Sequence, residues 1–195
     1  MLAAAGCSSG NSGQGEGGGS ASDSPSATAS AGDNTYRGTL APPESAGDAY
    51  TYDPALAPVG AQLVATVTEA ASSTTVKLEA TGLLPDRGYA VHAHVNPCGA
   101  TGDAAGPHFQ NRIDPAATPQ QPSSDPTYAN PQNEIWLDLR TNGQGAGSSI
   151  AEVPFTFTDR APASIVVHEA MSTATAAGEA GSAGDRLACL NLPIQ

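Results

Sequence analysis

From residue 61 towards the C-terminus, hydrophobic and polar positions alternate with a period of two in a series of short segments. These segments are rich in Val, Ile, Thr and aromatic residues, and turns containing Gly, Pro, Asn and Ser separate them. The pattern predicts β-strands, because alternate side chains of a strand point to opposite faces of a sheet. The predicted strands cover residues 61–69, 74–81, 89–95, 134–141, 149–158, 164–169 and 186–192, with residues 50–56 as a candidate eighth strand.

The strand pattern predicts an all-β domain. Seven or eight short strands separated by turns, with no segment of helical period, are typical of an antiparallel sandwich or a flattened barrel. Residues 96–133 and 171–185 contain no predicted strand, and both stretches exceed the usual length of a connection. Long loops on a rigid β-scaffold commonly carry function. We therefore expect functional residues in these two loops.

The N-terminal region differs in composition. Fifteen of the twenty-five residues in 8–32 are Gly or Ser, and such a segment buries too little apolar surface to fold. We predict a flexible tether and a transitional segment over residues 8–49, followed by a folded domain over residues 50–195. Residues 1–7 resemble the end of a bacterial lipoprotein signal, although Ala4 stands where Leu is usual. Cys7 is then the expected lipid attachment site, and the domain is expected in the cell envelope, outside the cytoplasm, held to the membrane only by that lipid.

The charge balance narrows the range of partners. Seven basic residues stand against nineteen acidic residues, which gives a net charge of −12. Proteins that bind nucleic acid need clustered Lys and Arg to neutralise phosphates, so this class is excluded. No run approaches the roughly 18 consecutive apolar residues of a membrane-spanning helix. Aromatic residues make up only 5% of the chain and indicate no dimer patch, so we expect a monomer.

Two of the three cysteines lie in the predicted domain. Cys98 and Cys189 are far apart in the sequence. In a chain with features of secretion, such a pair predicts one disulfide bond.

The four histidines of the chain all lie at predicted strand ends or in loops. His92 and His94 are two residues apart in one strand, so their imidazoles leave the same face. His108 lies in the first long loop, and His168 ends another strand just before the second. Two imidazoles on one strand, one in a loop and one on a second strand can converge on a single metal ion, although each histidine could instead be a surface side chain or one that is hydrogen-bonded within the protein. A ligand set made of nitrogen alone favours copper.

Five segments of the chain resemble the copper/zinc superoxide dismutase family, in family order, over residues 50–195. The resemblance implies an eight-stranded Greek-key β-barrel of immunoglobulin-like architecture and a Cys98–Cys189 disulfide. It makes the four histidines the copper ligands, and it makes Arg186 and His108 catalytic residues, with Arg186 beside the open face of the metal. The segments are Tyr89-Ala-Val-His-Ala-His-Val95, Cys98, Ala105-Gly-Pro-His-Phe109, Val166-Val-His-Glu169 and Gly184-Asp-Arg-Leu-Ala-Cys189.

The sequence departs from the family at the zinc site. No histidine lies between His108 and His168, and the aspartate that follows the Val-Val-His-Glu motif in the family is absent. We therefore expect one copper ion and no zinc. A metal-bound imidazole usually donates its other N–H to a carboxylate or carbonyl. Glu134, or else Asp114 or Asp125, is predicted to support His108 in this way, although Glu134 could equally be a solvated charge at a strand end.

The resemblance implies dismutation of superoxide to O₂ and hydrogen peroxide, with copper cycling between Cu(II) and Cu(I). Because the chain carries a net charge of −12, any attraction of the anion must be local to Arg186 and the metal. An alternative is a non-catalytic copper-binding protein of the cell envelope that stores or delivers the metal. A blue-copper electron carrier using Met171 is disfavoured, since that site needs a free thiolate.

Overall fold

The computed structural model describes residues 33–118 and 120–194. These residues form ten β-strands and one short 3-10 helix, Gly102–Ala105, and they contain no α-helix. The strands are β1 (Asp33–Thr39), β2 (Ala49–Thr51), β3 (Gln62–Glu69), β4 (Thr74–Thr81), β5 (Gly88–Tyr89), β6 (Val91–His94), β7 (Leu139–Arg140), β8 (Gly147–Val153), β9 (Ser164–His168) and β10 (Arg186–Asn191).

Eight of these strands form two four-stranded antiparallel sheets. One sheet has the order β1-β3-β4-β8 and the other has the order β2-β10-β9-β6, while β5 and β7 form a separate two-stranded ribbon. Several neighbours, such as β4 and β8 or β2 and β10, are distant along the chain, as Greek-key connections require. The predicted all-β fold with eight main strands is confirmed.

Strand β1 lies in the segment that the sequence analysis assigned to the transition before the domain. It pairs with β3 along its whole length, from Asp33 opposite Thr68 to Thr39 opposite Gln62. The described sheet therefore begins before residue 50. Strand β1 shows no apolar alternation because it is an edge strand whose side chains are mostly exposed.

The predicted strand 134–141 is largely replaced by isolated bridges. Glu134 and Trp136 each form one bridge, and only Leu139–Arg140 is a regular strand. The Asp138 side chain accounts for the interruption, because its carboxylate accepts the Val91 N–H at 3.1 Å. A side chain thus bonds a donor that a ladder would pair with a backbone carbonyl.

The predicted strand 149–158 ends early. Strand β8 stops at Val153, and the next residue, Pro154, has no N–H to donate to a ladder. Beyond it, Phe155 and Phe157 still pack on the core.

The core lies between the two four-stranded sheets. The alternating burial along β3 and β4 shows that each presents one face to it. Strands β6 and β9 are instead buried at every position. Val91 and Ala93 of β6 belong to the core cluster, so His92 and His94 point to the opposite face of the sheet. That outer face is therefore covered by loops.

The Cys98–Cys189 disulfide holds the first long loop against β10. The two Cα atoms are 5.8 Å apart and the bond closes a sequence separation of 91 residues. Beside it, the Asn191 side chain accepts the Cys98 N–H at 2.8 Å, and the Tyr52 hydroxyl donates to the Gly99 carbonyl at 3.1 Å. The predicted disulfide is confirmed, and it is consistent with folding in an oxidising compartment outside the cytoplasm.

Residues 1–32, including the predicted tether and Cys7, lie outside the described residues. Among the residues that are described, no helix has the length and apolar character needed to cross a membrane.

Candidate metal centre

Two paired strands and one loop bring the four histidines together. Strand β6 carries His92 and His94 and lies antiparallel to β9, which ends at His168. The loop residue His108 forms a bridge to His94, and the next residue, Phe109, donates its N–H to the Ala93 carbonyl at 2.8 Å. One ring nitrogen of each histidine lies within 4.8 Å of those of the other three. The predicted convergence of the four side chains is therefore present.

Backbone carbonyls orient two of the rings. His94 Nδ1 donates to the Gly106 carbonyl at 2.8 Å, and His168 Nδ1 donates to the Gly184 carbonyl at 3.3 Å. Both glycines have a positive φ, 69° and 75°, a conformation that side chains disfavour. Since Nδ1 carries the proton in each ring, Nε2 has the free lone pair. The two Nε2 atoms lie 3.2 Å apart.

A buried carboxylate orients the third ring. Glu134 Oε2 lies 2.9 Å from His108 Nδ1 and also accepts the Trp136 indole N–H at 2.7 Å. Its other oxygen accepts the Gln110 amide at 2.8 Å. Because only 2% of the Glu134 side chain is exposed, it is not a solvated charge at a strand end.

The other two carboxylates considered for His108 lie elsewhere. Asp114 accepts the Ser123 hydroxyl and the Ala116 N–H, and Asp125 accepts the Thr127 N–H. Of the three candidates, the structure places only Glu134 beside the ring.

Two side chains that the sequence analysis did not select support the fourth ring. His92 Nε2 lies 2.7 Å from the Thr173 hydroxyl, which in turn lies 2.7 Å from Asp138 Oδ1. The remaining nitrogen, His92 Nδ1, is buried and has no hydrogen-bond partner. A buried nitrogen without a partner is costly, and a metal ion would satisfy it.

Three of the four rings, His92, His94 and His168, are neutral at neutral pH. Burial, followed by the charges that His108 and the other rings would carry, holds the pKa of His92 and of His94 well below 6.5. Burial likewise lowers the pKa of His168 to about 3, and His108 contributes to the shift. Metal ligation requires neutral imidazole, so these three rings are already in the form that binds a metal.

Comparisons with known proteins identify the fold. No family model matches the sequence, and a search of curated proteins finds no match. A search of solved structures finds the Cu/Zn superoxide dismutase from Brucella abortus, with a TM-score of 0.53 and 19% identity over 82% of this chain and 99% of that chain. The chain has a superoxide dismutase fold. The resemblance inferred from the five segments is thereby confirmed at the level of the fold.

Within this superoxide dismutase fold, Arg186 lies beside the histidine cluster. It begins β10 and stands opposite His168 in the ladder with β9. Its Nη1 donates to the Gly102 carbonyl at 2.8 Å, which connects the side chain to the 3-10 helix of the first long loop. Burial lowers the pKa of the Arg186 guanidinium, while the neighbouring Asp103 and Tyr52 oppose this effect.

Arg186 lines an open polar cavity of about 530 Å³. Four carboxylate residues also line it, namely Asp53, Asp103, Glu169 and Asp185. The surroundings of the guanidinium are thus acidic, in keeping with the charge of the whole chain.

The residues missed by the sequence analysis all act on the histidines rather than as metal ligands. Gln110 and Trp136 bond Glu134, while Thr173 and Asp138 support His92. The contact between Thr173 and Asp138 spans 35 residues, and no spacing rule relates two such positions. The absence of the family's aspartate after the Val-Val-His-Glu motif is the one departure noted in this part of the sequence, and it does not point to Thr173 or Asp138.

Proposed function

We propose that the chain is a copper-dependent superoxide dismutase. The observation that carries the proposal is the arrangement of the imidazoles: each has one nitrogen bonded to a protein oxygen, and one nitrogen of each ring lies within 4.8 Å of those of the other three. The ligand atoms would be His92 Nδ1 and the Nε2 atoms of His94, His108 and His168. A set of four neutral nitrogens suits copper, and the residues present therefore fit the ion.

A bound copper ion supplies one-electron chemistry, by which one superoxide is oxidised to O₂ and a second is reduced, with two protons, to hydrogen peroxide. The side chains described here supply orientation, charge and protons for that reaction. One copper ion is proposed for each chain, with no zinc, and the chain is proposed to act as a monomer.

Arg186 is the residue proposed to hold the anion. A guanidinium stays charged and presents five donors in a rigid fork. The bond from Nη1 to the Gly102 carbonyl fixes its position next to His168. A superoxide ion that enters the open cavity would meet this charge.

His108 is the residue proposed to deliver a proton. Its side chain is 18% exposed, whereas His92, His94 and His168 are buried. Glu134 holds the proton on Nδ1, so Nε2 is the atom at which this ring would gain and lose a proton when it is not bound to copper.

A metal analysis followed by an activity assay tests the proposal. The full chain is purified with copper and zinc both available, and its metal content and its rate of superoxide dismutation are measured. We expect one copper per chain, no zinc and catalytic turnover. A matched variant, His94→Gln, should bind copper weakly and lose activity. Copper-loaded protein without turnover would overturn the enzymatic proposal.

The acidic cavity supports a second candidate, a copper-binding protein of the cell envelope that stores or delivers the metal. The four carboxylates around Arg186 repel an anionic substrate but attract a metal cation. The same histidines would serve both functions. Stoichiometric copper binding without dismutation would favour this candidate. For either function, we propose attachment to the outer face of the membrane through a lipid on Cys7.

A further inference from the structure

His92 is connected to a carboxylate through the hydroxyl group of a threonine. Asp138 Oδ1 lies 2.7 Å from Thr173 Oγ1, and Thr173 Oγ1 lies 2.7 Å from His92 Nε2. The three residues come from different parts of the chain: β6, the segment before β7, and the second long loop. The other rings bond directly to a carbonyl or to a carboxylate.

The contacts of Asp138 determine the direction of the two hydrogen bonds that link His92, Thr173 and Asp138. Its carboxylate can only accept, and it receives the Thr173 N–H at 2.7 Å, the Val91 N–H at 3.1 Å and the Thr173 hydroxyl. A hydroxyl has a single proton. Because that proton is donated to Asp138, the oxygen of Thr173 must accept from His92 Nε2. The proton of His92 therefore lies on Nε2, and Nδ1 carries a lone pair.

That lone pair has no partner within the protein. His92 Nδ1 is buried and forms no hydrogen bond, although the ring is fixed on its other side. This His92–Thr173–Asp138 relay thus leaves Nδ1 with a lone pair that a metal ion in the histidine cluster would satisfy.

We propose that Thr173 and Asp138 are positioning residues that set the tautomer of His92 and strengthen Nδ1 as a metal ligand. The inference rests on the proposed copper centre. Charge on Asp138 polarises the Thr173 hydroxyl, and the hydroxyl polarises the imidazole. The second long loop therefore contributes to metal binding without supplying a ligand.

Copper affinity and the Cu(II) electron paramagnetic resonance spectrum of the full chain test the relay. Thr173→Val keeps the shape of the side chain and removes the hydroxyl. We expect it to weaken Cu(II) binding by about 10- to 100-fold in a chelator competition titration, and to change the copper hyperfine splitting. Thr173→Ser, which retains the hydroxyl, should restore both. Asp138→Asn should weaken binding and alter the spectrum in the same direction.

Thr74→Val is the matched control. Thr74 is fully buried, and its hydroxyl donates to the Phe155 carbonyl at 2.8 Å, but it lies on the sheet that carries no histidine of the cluster. This variant should lose stability and keep its copper affinity and spectrum. The relay is overturned if Thr173→Val and Asp138→Asn bind copper as the wild type does, or if Thr74→Val weakens binding equally.

The outcome is separate from that of the proposed enzymatic function. Wild-type protein that binds copper but does not dismute superoxide would overturn the enzymatic function and leave the relay supported or refuted by the affinities. Wild-type protein that binds no copper would overturn the metal centre and the relay together.

Discussion

Four imidazoles that each place one nitrogen within 4.8 Å of those of the other three can all be neutral, but they cannot all be charged. Burial lowers the pKa of His92, His94 and His168. A ring that gained a proton would carry a charge that is buried away from water and close to the other rings, and both effects disfavour the charged form. Acid is therefore expected to destabilise the fold of the metal-free protein through this centre.

The metal-free protein should lose stability as the pH falls below about 6.5. The folded pKa of His168 is about 3, against 6.5 for an ordinary histidine, so between these values the unfolded chain binds more protons. Stability is then level above pH 6.5 and decreases below it, by up to about 1.4 kcal/mol per pH unit for each such histidine. Urea unfolding of the metal-free protein at pH 7.5 and at pH 5 measures the change.

The variant His168→Asn removes one of these groups and should reduce the dependence on pH. Equal urea midpoints for the wild type at the two pH values would contradict the expected loss of stability at low pH.

Replacement of Arg186 should affect catalysis and spare metal binding. The variant Arg186→Gln keeps polar character but loses the charge beside His168. A charged hydrogen bond contributes about 1.5–3 kcal/mol, so kcat/KM for superoxide should fall by about tenfold or more, and inhibition by small anions should weaken. Copper content is measured in parallel. Arg140→Gln is the control, since the Arg140 side chain is exposed and bonds the Asp86 carbonyl. Rates equal to that of the wild type for both variants would discard the role of Arg186.

At the scale of elements, the outer face of the sheet β2-β10-β9-β6 is where the loops meet the strands. The first long loop is bonded to β10 through Cys98 and supplies His108. The second supplies Thr173 and Asp185. The sheet carries three of the histidines, while the loops supply the fourth and the groups that orient the rings.

The double variant Cys98→Ala/Cys189→Ala should be less stable by about 4 kcal/mol, because the bond closes a loop of 91 residues in the unfolded chain. It should also bind copper more weakly, since the loop that carries His108 is released from β10. Denaturant unfolding and a copper titration measure the two effects. Loss of stability with unchanged copper affinity would show that the loop is held in place without the disulfide.

A strand is predicted correctly where the alternation of polar and apolar residues within the segment reflects its packing. The prediction fails where a contact with a residue far away in the sequence determines the structure. Strands β3 and β4 alternate cleanly because one face of each packs on the core. Strand β1 is missed because its place at an edge leaves most side chains exposed. Asp138 interrupts a predicted strand by bonding Val91, 47 residues away.

The same distinction holds at the centre. The four histidines are predicted from their positions at strand ends and from the family motifs. Glu134 is selected because it begins the strand after the long loop, near the place of the zinc-binding aspartate in the family that the sequence resembles, and the structure places it next to His108. Thr173 lies in a loop without any periodic pattern, so only three-dimensional contact reveals it.

At the scale of the whole molecule, charge opposes the proposed substrate. The chain carries a net charge of −12, and four carboxylates line the cavity at Arg186. Long-range repulsion of an anion is screened by salt, with a Debye length of about 30 Å at 0.01 M and about 8 Å at 0.15 M. The rate of encounter with superoxide should therefore depend on ionic strength.

We expect kcat/KM for superoxide to rise by about twofold or more between 0.01 and 0.15 M salt. Glu169→Gln removes one charge from the cavity and should raise the rate at low salt. Glu152→Gln removes an exposed charge from β8, on the other sheet, and should have a smaller effect. Stopped-flow kinetics measures all three proteins; a rate that falls with added salt would show that attraction, not repulsion, governs the approach.

The supports of the four rings fall into two kinds that differ in how readily they can be altered. Gly106 and Gly184 hold their rings through the path of the main chain, which a point substitution cannot redirect without refolding a loop. Glu134 and Thr173 hold their rings through side chains, which a point substitution can change. Metal affinity and electron-transfer properties could therefore be graded, in evolution or by protein engineering, at positions 134, 138 and 173 while the ligand cage itself stays intact.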